Sequence, residues 1–174
     1  MSRSCVALVL VCSAVLFAES AAGLRWTAPA SWKAEAARPM RAATYTIAPV
    51  AGDQPGAECV INYFGPGQGG TVDANIERWR SQVQGADGKP APANVAKRTI
   101  RGIPITTIDA SGAYSGMGGP MMASPKVVPN YRLLGAIVEG PGGSVFVKFT
   151  GPAKTVAANQ KQFEELVGSF QIEK

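Results

Sequence analysis

Cys59-Val60-Ile61-Asn62-Tyr63-Phe64 runs directly into Gly65-Pro66-Gly67-Gln68-Gly69-Gly70 and then Thr71-Val72. The first six residues are a short run, apolar on both faces, as expected of an interior strand. Beyond the glycines, Val72, Ile76, Trp79 and Val83 recur at the spacing of one helix face. Thr71 stands where an N-cap is needed, and Asp73 suits the positive helix start. Asn75, Arg78, Arg80 and Gln82 are expected on the wetter faces.

Strand, glycine turn and helix are shared by two very different folds. Gly65-x-Gly67-x-x-Gly70 is a literal dinucleotide fingerprint, but that fold needs a second strand parallel to the first, ending in an acid. Here a Gly- and Pro-rich loop from Gln84 to Ala93 follows, and the candidate acid Asp87 lies inside it beside Gly88. Val95–Ile100 and Ile103–Ser111 then read as a hairpin across Arg101-Gly102, with Pro104 marking a strand start or an edge. Pro66 removes one backbone donor. A phosphate-binding loop fails as well, because Thr71 occupies the place of the required Lys. The reading is therefore antiparallel, and the glycines make a tight strand-to-helix turn. Gly67, Gly69, Gly70, Thr71, Asn75 and Arg78 remain candidates for holding a simple anion or a partner's carboxylate at the helix start.

Working outward, Met40–Ile47 alternates weakly, with Ala43, Tyr45 and Ile47 on one face, and Leu24–Trp32 reads as an edge strand and a Pro turn. Tyr131–Glu139 is a strong central strand. Gly140-Pro141-Gly142-Gly143 turns the chain, and Val145, Val147 and Phe149 share one face of the next strand. A helix starts at Gly151-Pro152, where Pro is tolerated in the first turn, and its buried stripe is Val156, Phe163, Leu166, Val167 and Phe170. The order is three strands, helix, four strands, helix. This predicts an α+β fold, a mainly antiparallel sheet of about six to seven strands with two main helices.

The first 22 residues read as a secretory leader. Arg3 precedes an apolar run from Cys5 to Ala18, which at 14 residues is shorter than the roughly 20 needed to span a bilayer. Ser20 and Ala22 are the small residues of a cleavage site after Ala22, with cleavage after Ser20 as the alternative. Cys12 follows Val11 in mid-run, so no lipid anchor is expected. The expected working protein is a single domain over 23–174, secreted or periplasmic, with no integral membrane segment after cleavage. The leader takes one charge of each sign, so the formal charge stays +5, and it takes two of the three Cys. Cys59 is left without an internal partner.

The whole sequence contains no His. That removes Ser-His-Asp and Cys-His catalysis and His-ligated zinc or haem. The carboxylates Glu58, Asp73, Asp109 and Glu139 are scattered and select no acid–base pair. From Gly112 to Asn130 the chain reads as a long loop carrying Met117, Met121 and Met122. Thioethers favour Cu(I), but three Met without His make no defined copper motif, so the reading is an adaptable apolar surface for a partner. Lys97, Arg98 and Arg101, and Arg78 and Arg80 about Trp79, could attract acidic polymers or headgroups. Nucleic acid is a poor fit, because the repeated basic-aromatic pattern is missing.

Trp26-x-x-Pro29-x-x-Trp32, Met40-Arg41, Phe64 to Gly70, Asn75-Ile76-x-Arg78-Trp79, Tyr131–Glu139 and Lys148-Phe149-Thr150-Gly151-Pro152 together resemble a family of uncharacterised bacterial exported proteins. More distantly, the element order is similar to the PsbP-like α/β/α sandwich. The resemblance implies that fold and, from the superfamily's better-known members, protein binding rather than catalysis; it transfers no functional residue. The expectation is an exported, non-catalytic binding or accessory protein of the cell envelope, with no catalytic residue, cofactor or metal. Its expected partner is another envelope protein, through a surface formed by loop 112–130 and turn 65–70. Two alternatives stand beside it. One is a small-ligand or enzymatic pocket at turn 65–70 and the following helix, built from Thr71, Asn75, Arg78 and a Tyr. The other is binding of an anionic envelope polymer.

Overall fold

In a computed structural model, which describes residues 18–116 and 127–173, the glycine turn joins an interior strand to a helix and the flanking strands pair antiparallel. In chain order the elements are β1 (Ala18–Ala21), β2 (Leu24–Thr27), β3 (Lys33–Ala34), β4 (Arg41–Ile47), β5 (Ala57–Asn62), α1 (Val72–Ser81), β6 (Val83–Gln84) and β7 (Ala93–Ile100). They continue with β8 (Ile103–Ser115), β9 (Val127–Gly140), β10 (Gly143–Pro152), α2 (Ala153–Ala158), α3 (Gln160–Ser169) and β11 (Gln171–Ile172). The main sheet runs β3-β4-β5-β10-β9-β8, and the far edge of β8 is shared by β7 and the short β6. A second sheet has the order β1-β2-β11.

Strand alternation sends side chains to two separate cores. On one face Cys59, Ile61, Ala136, Val138, Val145, Val147 and Phe149 pack with Trp26, Trp32 and Tyr45 and with Phe163, Leu166, Val167 and Phe170 of the C-terminal segment. On the other, Ile108, Leu133, Ile137 and Phe146 meet Ile76 and Trp79 of α1. The sheet is thus covered from both sides, an α+β sandwich.

The expected single C-terminal helix is two, broken at Asn159 (φ −109°, ψ 13°). The Asn159 side chain donates to the Thr155 carbonyl (2.9 Å) and accepts from Trp32 Nε1 (3.2 Å), so the break pins the helix pair to Trp32. The apolar stripe survives it: Val156, Phe163, Leu166, Val167 and Phe170 are all buried. Strands are more numerous than expected because two-residue pieces join the sheet edges. The supposed loop 112–130 begins and ends as strand. β8 continues to Ser115 and β9 starts at Val127, past a bulge between Gly112 and Tyr114. The hairpin across Arg101-Gly102 forms with both residues at positive φ.

The expected cleavage point falls in the turn between β1 and β2, where Ala21 opposes Leu24. Among the described residues, no helix is long and apolar enough to cross a membrane.

Candidate functional site

α1 is ten residues long and lies over β6, β8 and β9. It leaves bare the same face of β10, β5 and β4. The alternation that buries Val145, Val147 and Phe149 on one face of β10 turns Phe146, Lys148 and Thr150 onto this other face. From β5 come Glu58, Val60 and Asn62, and from β4 Arg41. Together with Phe64, Arg78, Trp79, Gln82 and Tyr114 they enclose a cavity of about 580 Å³.

Lys148 is the half-buried cation of this cavity. Its Nζ donates to Gln82 Oε1 at 2.6 Å and to the Tyr114 hydroxyl at 2.8 Å. Both partners are neutral, and no ion pair among the described residues includes Lys148. Burial, then the positive charge of Arg78, pulls its pKa down to about 8, while Glu58 acts in the opposite direction. Burial pushes the Tyr114 phenol up to about 12, so it stays protonated at neutral pH. The Tyr114 ring is itself fixed by stacking on Tyr131, with centroids 5.8 Å apart and planes 10° apart.

Glycine sets the shape of one wall. Gly135 lies directly opposite Lys148 in the sheet. A Cβ there would sit 2.5 Å from Trp79 Cζ3, so the indole rests on bare backbone beside the lysine. Gly69 serves similarly at the far end: φ is +91°, and a Cβ would meet Phe146 Cε2 at 2.6 Å and Phe64 Cδ2 at 2.9 Å.

Asn75, expected on a wet face, is only 2% exposed. Its Nδ2 donates to the carbonyls of Gly69 and Thr71, both at 2.8 Å, and its Oδ1 accepts from Arg78 Nη2. A buried amide must find such partners, and here they are the backbone of the turn. Gln82 is likewise buried, because it meets Lys148. Thr71 is the N-cap, its Oγ1 accepting from the Ala74 N–H at 3.2 Å. The expected pocket of Thr71, Asn75, Arg78 and a Tyr is therefore divided. Arg78 and Tyr114 line the Lys148 cavity, and Asn75 is a buried brace. Thr71 borders a more open hollow of about 520 Å³ with Lys97, Arg98, Thr106 and Glu139. Gly67 lines neither space, and Gly70 packs near Asn75 Nδ2.

Among the described residues, turn 65–70 and the strand ends at Ser115 and Val127 lie apart. Gly69 abuts Phe146, which pairs with Ile137, whereas Ser115 pairs with Val127. Ten residues of β9 separate those two points, about 30 Å of strand. The Lys148 cavity lies between these described points, with Phe146 toward one and Tyr114 toward the other. Met117, Met121 and Met122 lie outside the described residues. Cys59 is fully buried in the opposite core, and burial pushes its thiol far up, as for an inert structural cysteine.

Lys148, Tyr114, Gln82, Arg41 and Glu58 were not singled out from sequence as a site. One signal was present: Lys148 interrupts the apolar run Val145-Phe146-Val147 and Phe149. A charge at an inward-facing position of an interior strand calls for an explanation.

The cavity sits on one face of an α+β sandwich of the PsbP-like kind, and that is the class the chain's fold defines. The solution structure of cyanobacterial PsbP (CyanoP) from Synechocystis sp. PCC 6803 is similar at a TM-score of 0.52 and 12% identity, over 95% of this chain and 98% of that one. The crystal structure of PA94 from Pseudomonas aeruginosa, a protein of unknown function, is similar at a TM-score of 0.50 and 11% identity, over 91% and 97%. At these identities the likeness concerns the fold alone. No family model matches the chain, and no curated protein does.

Proposed function

We propose that this is a binding protein whose ligand is a small organic anion, received in the Lys148 cavity. The observation that carries the reading is the lysine itself. An ammonium group is held half-buried by two neutral partners, with its own charge unmatched. Burying a charge without a counter-ion is costly, and proteins retain such groups where a ligand supplies the missing charge. Arg78 and Arg41 add positive charge around the cavity, against the single carboxylate Glu58, already paired with Arg41 at 3.0 Å. Val60, Phe64, Trp79 and Phe146 give the cavity apolar walls, which suit a carboxylate with an aromatic or aliphatic body.

The basic, short-apolar, small-residue pattern of the first 22 residues supports export, which would place this binding role in the cell envelope. Fractionation of cells producing the tagged chain tests the address: recovery in the cytoplasmic fraction at full length refutes it. Benzoate titration followed by chemical-shift perturbation tests the site. Shifts are expected at Trp79, Tyr114 and Phe146, and K148M is expected to weaken binding at least about tenfold, equivalent to about 1.4 kcal/mol. Shifts that avoid these residues refute the cavity as the site.

A further inference from the structure

We propose that Lys148 is a point of covalent capture: its amine condenses reversibly with the carbonyl group of an organic acid seated in the cavity, forming an imine. The inference rests on the reading of the Lys148 cavity as a ligand site and names a class of ligand for it, an oxo acid or aldehyde acid.

Three features set Lys148 apart from the other described lysines. Lys33, Lys89, Lys97, Lys154 and Lys161 are exposed where Lys148 is half-buried, and Lys33, Lys97 and Lys161 stand 3.2 to 3.8 Å from carboxylates. Lys148 has no such partner; an amide oxygen and a phenol hold its nitrogen, and neither stabilises the cation as a carboxylate would. Its nitrogen borders an open volume large enough for a ring and a carboxylate. A hydroxyl that keeps its proton lies 2.8 Å away, where a proton must move.

The chemistry balances without an added reagent. The lone pair of the neutral Nζ attacks the carbonyl carbon, a C–N bond forms, and the carbonyl π pair passes to oxygen. The Tyr114 hydroxyl gives that oxygen its proton and regains one from the nitrogen, leaving a carbinolamine. The Tyr114 hydroxyl then protonates the leaving oxygen, the C–O bond breaks, water leaves, the nitrogen pair closes the C=N bond, and the remaining N–H proton returns to the phenolate. One carbonyl and one amine become one imine and one water, with no change of oxidation state. The supply of neutral amine follows from the surroundings: burial and Arg78 on α1 lower the pKa of Lys148 to about 8, and Glu58 on β5 opposes them. Arg41 on β4 and Tyr114 on β8 complete the facing groups, so capture quickens between pH 6 and pH 8.

The test uses para-formylbenzoate with cyanoborohydride, which freezes an imine as a secondary amine, followed by peptide mapping. Lys148 is expected to be modified at least about tenfold faster than Lys33, Lys97 or Lys161, and excess benzoate is expected to suppress this. Y114F should slow formation of the adduct by a larger factor than it weakens benzoate binding, a split that a merely structural role for the phenol would not give. K148R, which keeps the charge, should still bind benzoate and yield no adduct at that position. Even labelling of all lysines overturns the proposal. If benzoate binds in the cavity but Lys148 gains no adduct, capture is refuted and the anion site stands. If neither occurs, the cavity reading falls with it.

Discussion

Replacing Lys148 by Met removes the charge, keeps an unbranched chain of similar length, and is expected to make the protein more stable. The fall in pKa from the ordinary 10.5 to about 8 corresponds to about 3.4 kcal/mol against the ammonium form in the fold. Lys148 borders a water-accessible cavity, so about half of that is the defensible figure, near 1.7 kcal/mol. Methionine also leaves Gln82 Oε1 and the Tyr114 hydroxyl without the amine, which gives back about 0.7 kcal/mol where water can reach both. The expected gain is therefore about 1 kcal/mol at pH 6, or roughly 2–4 °C in Tm for a domain of this size. The pH dependence makes the prediction specific. Between about pH 8 and pH 10.5 the unfolded lysine binds more protons than the folded one, so wild-type stability rises with pH through that window. By pH 9 the charge cost should fall by about 40%, from about 1.7 to about 1.0 kcal/mol, so the advantage of K148M shrinks from about 1 to about 0.3 kcal/mol. Tyr114, pushed up to about 12, works in the opposite sense, but only above the ordinary tyrosine value of 10.0, and so leaves the pH 6 to 9 comparison clean. Urea denaturation of both proteins at pH 6, 7.5 and 9 is the assay. A K148M protein that is less stable at pH 6, or whose margin over wild type does not fall with pH, would refute the argument that Lys148 is held at a cost.

N75A removes a buried amide that donates to two carbonyls and accepts from Arg78; a loss of about 2–3 kcal/mol is expected in urea denaturation, with added mobility of turn 65–70 in amide exchange. G135A places a methyl against the Trp79 ring, about 2.5 Å away with no room to yield; it should cost about 2 kcal/mol and change the Trp79 environment, read by thermal melting and tryptophan fluorescence. A chain beginning at Gly23 lacks β1 and the Glu19 carboxylate that accepts from the Tyr45 hydroxyl; compared with one beginning at Ala18, it should be about 1–2 kcal/mol less stable and show a more readily ionised Tyr45 in a spectrophotometric titration, while a melting curve unchanged by the truncation would show that β1 contributes nothing.

The parts of the fold written as periodicity were legible in the sequence. Val145, Val147 and Phe149 share a face because strands alternate, and Val156 to Phe170 keep one stripe across a helix break because both helices answer to the same core. The break at Asn159 has no comparable local mark, since its reason is Trp32, more than a hundred residues away. Strand length has a similarly non-local cause. Gly112, Pro129 and Asn130 read as loop by composition, yet they extend β8 and β9, because the hairpin already begun at Ala136 and Thr107 supplies the ladder. The site divides in the same way. Gly69, Thr71, Asn75 and Arg78 are near one another in sequence, and their grouping through Asn75 could be anticipated. The cavity depends instead on α1 being too short to cover β5 and β4, a relation between elements and not within one. Its central residue was nevertheless visible as a charge inside a run that is otherwise apolar from Val145 to Phe149. The residue that disturbs the pattern is the residue the fold holds at a cost, and that cost is the physical ground for assigning Lys148 a ligand.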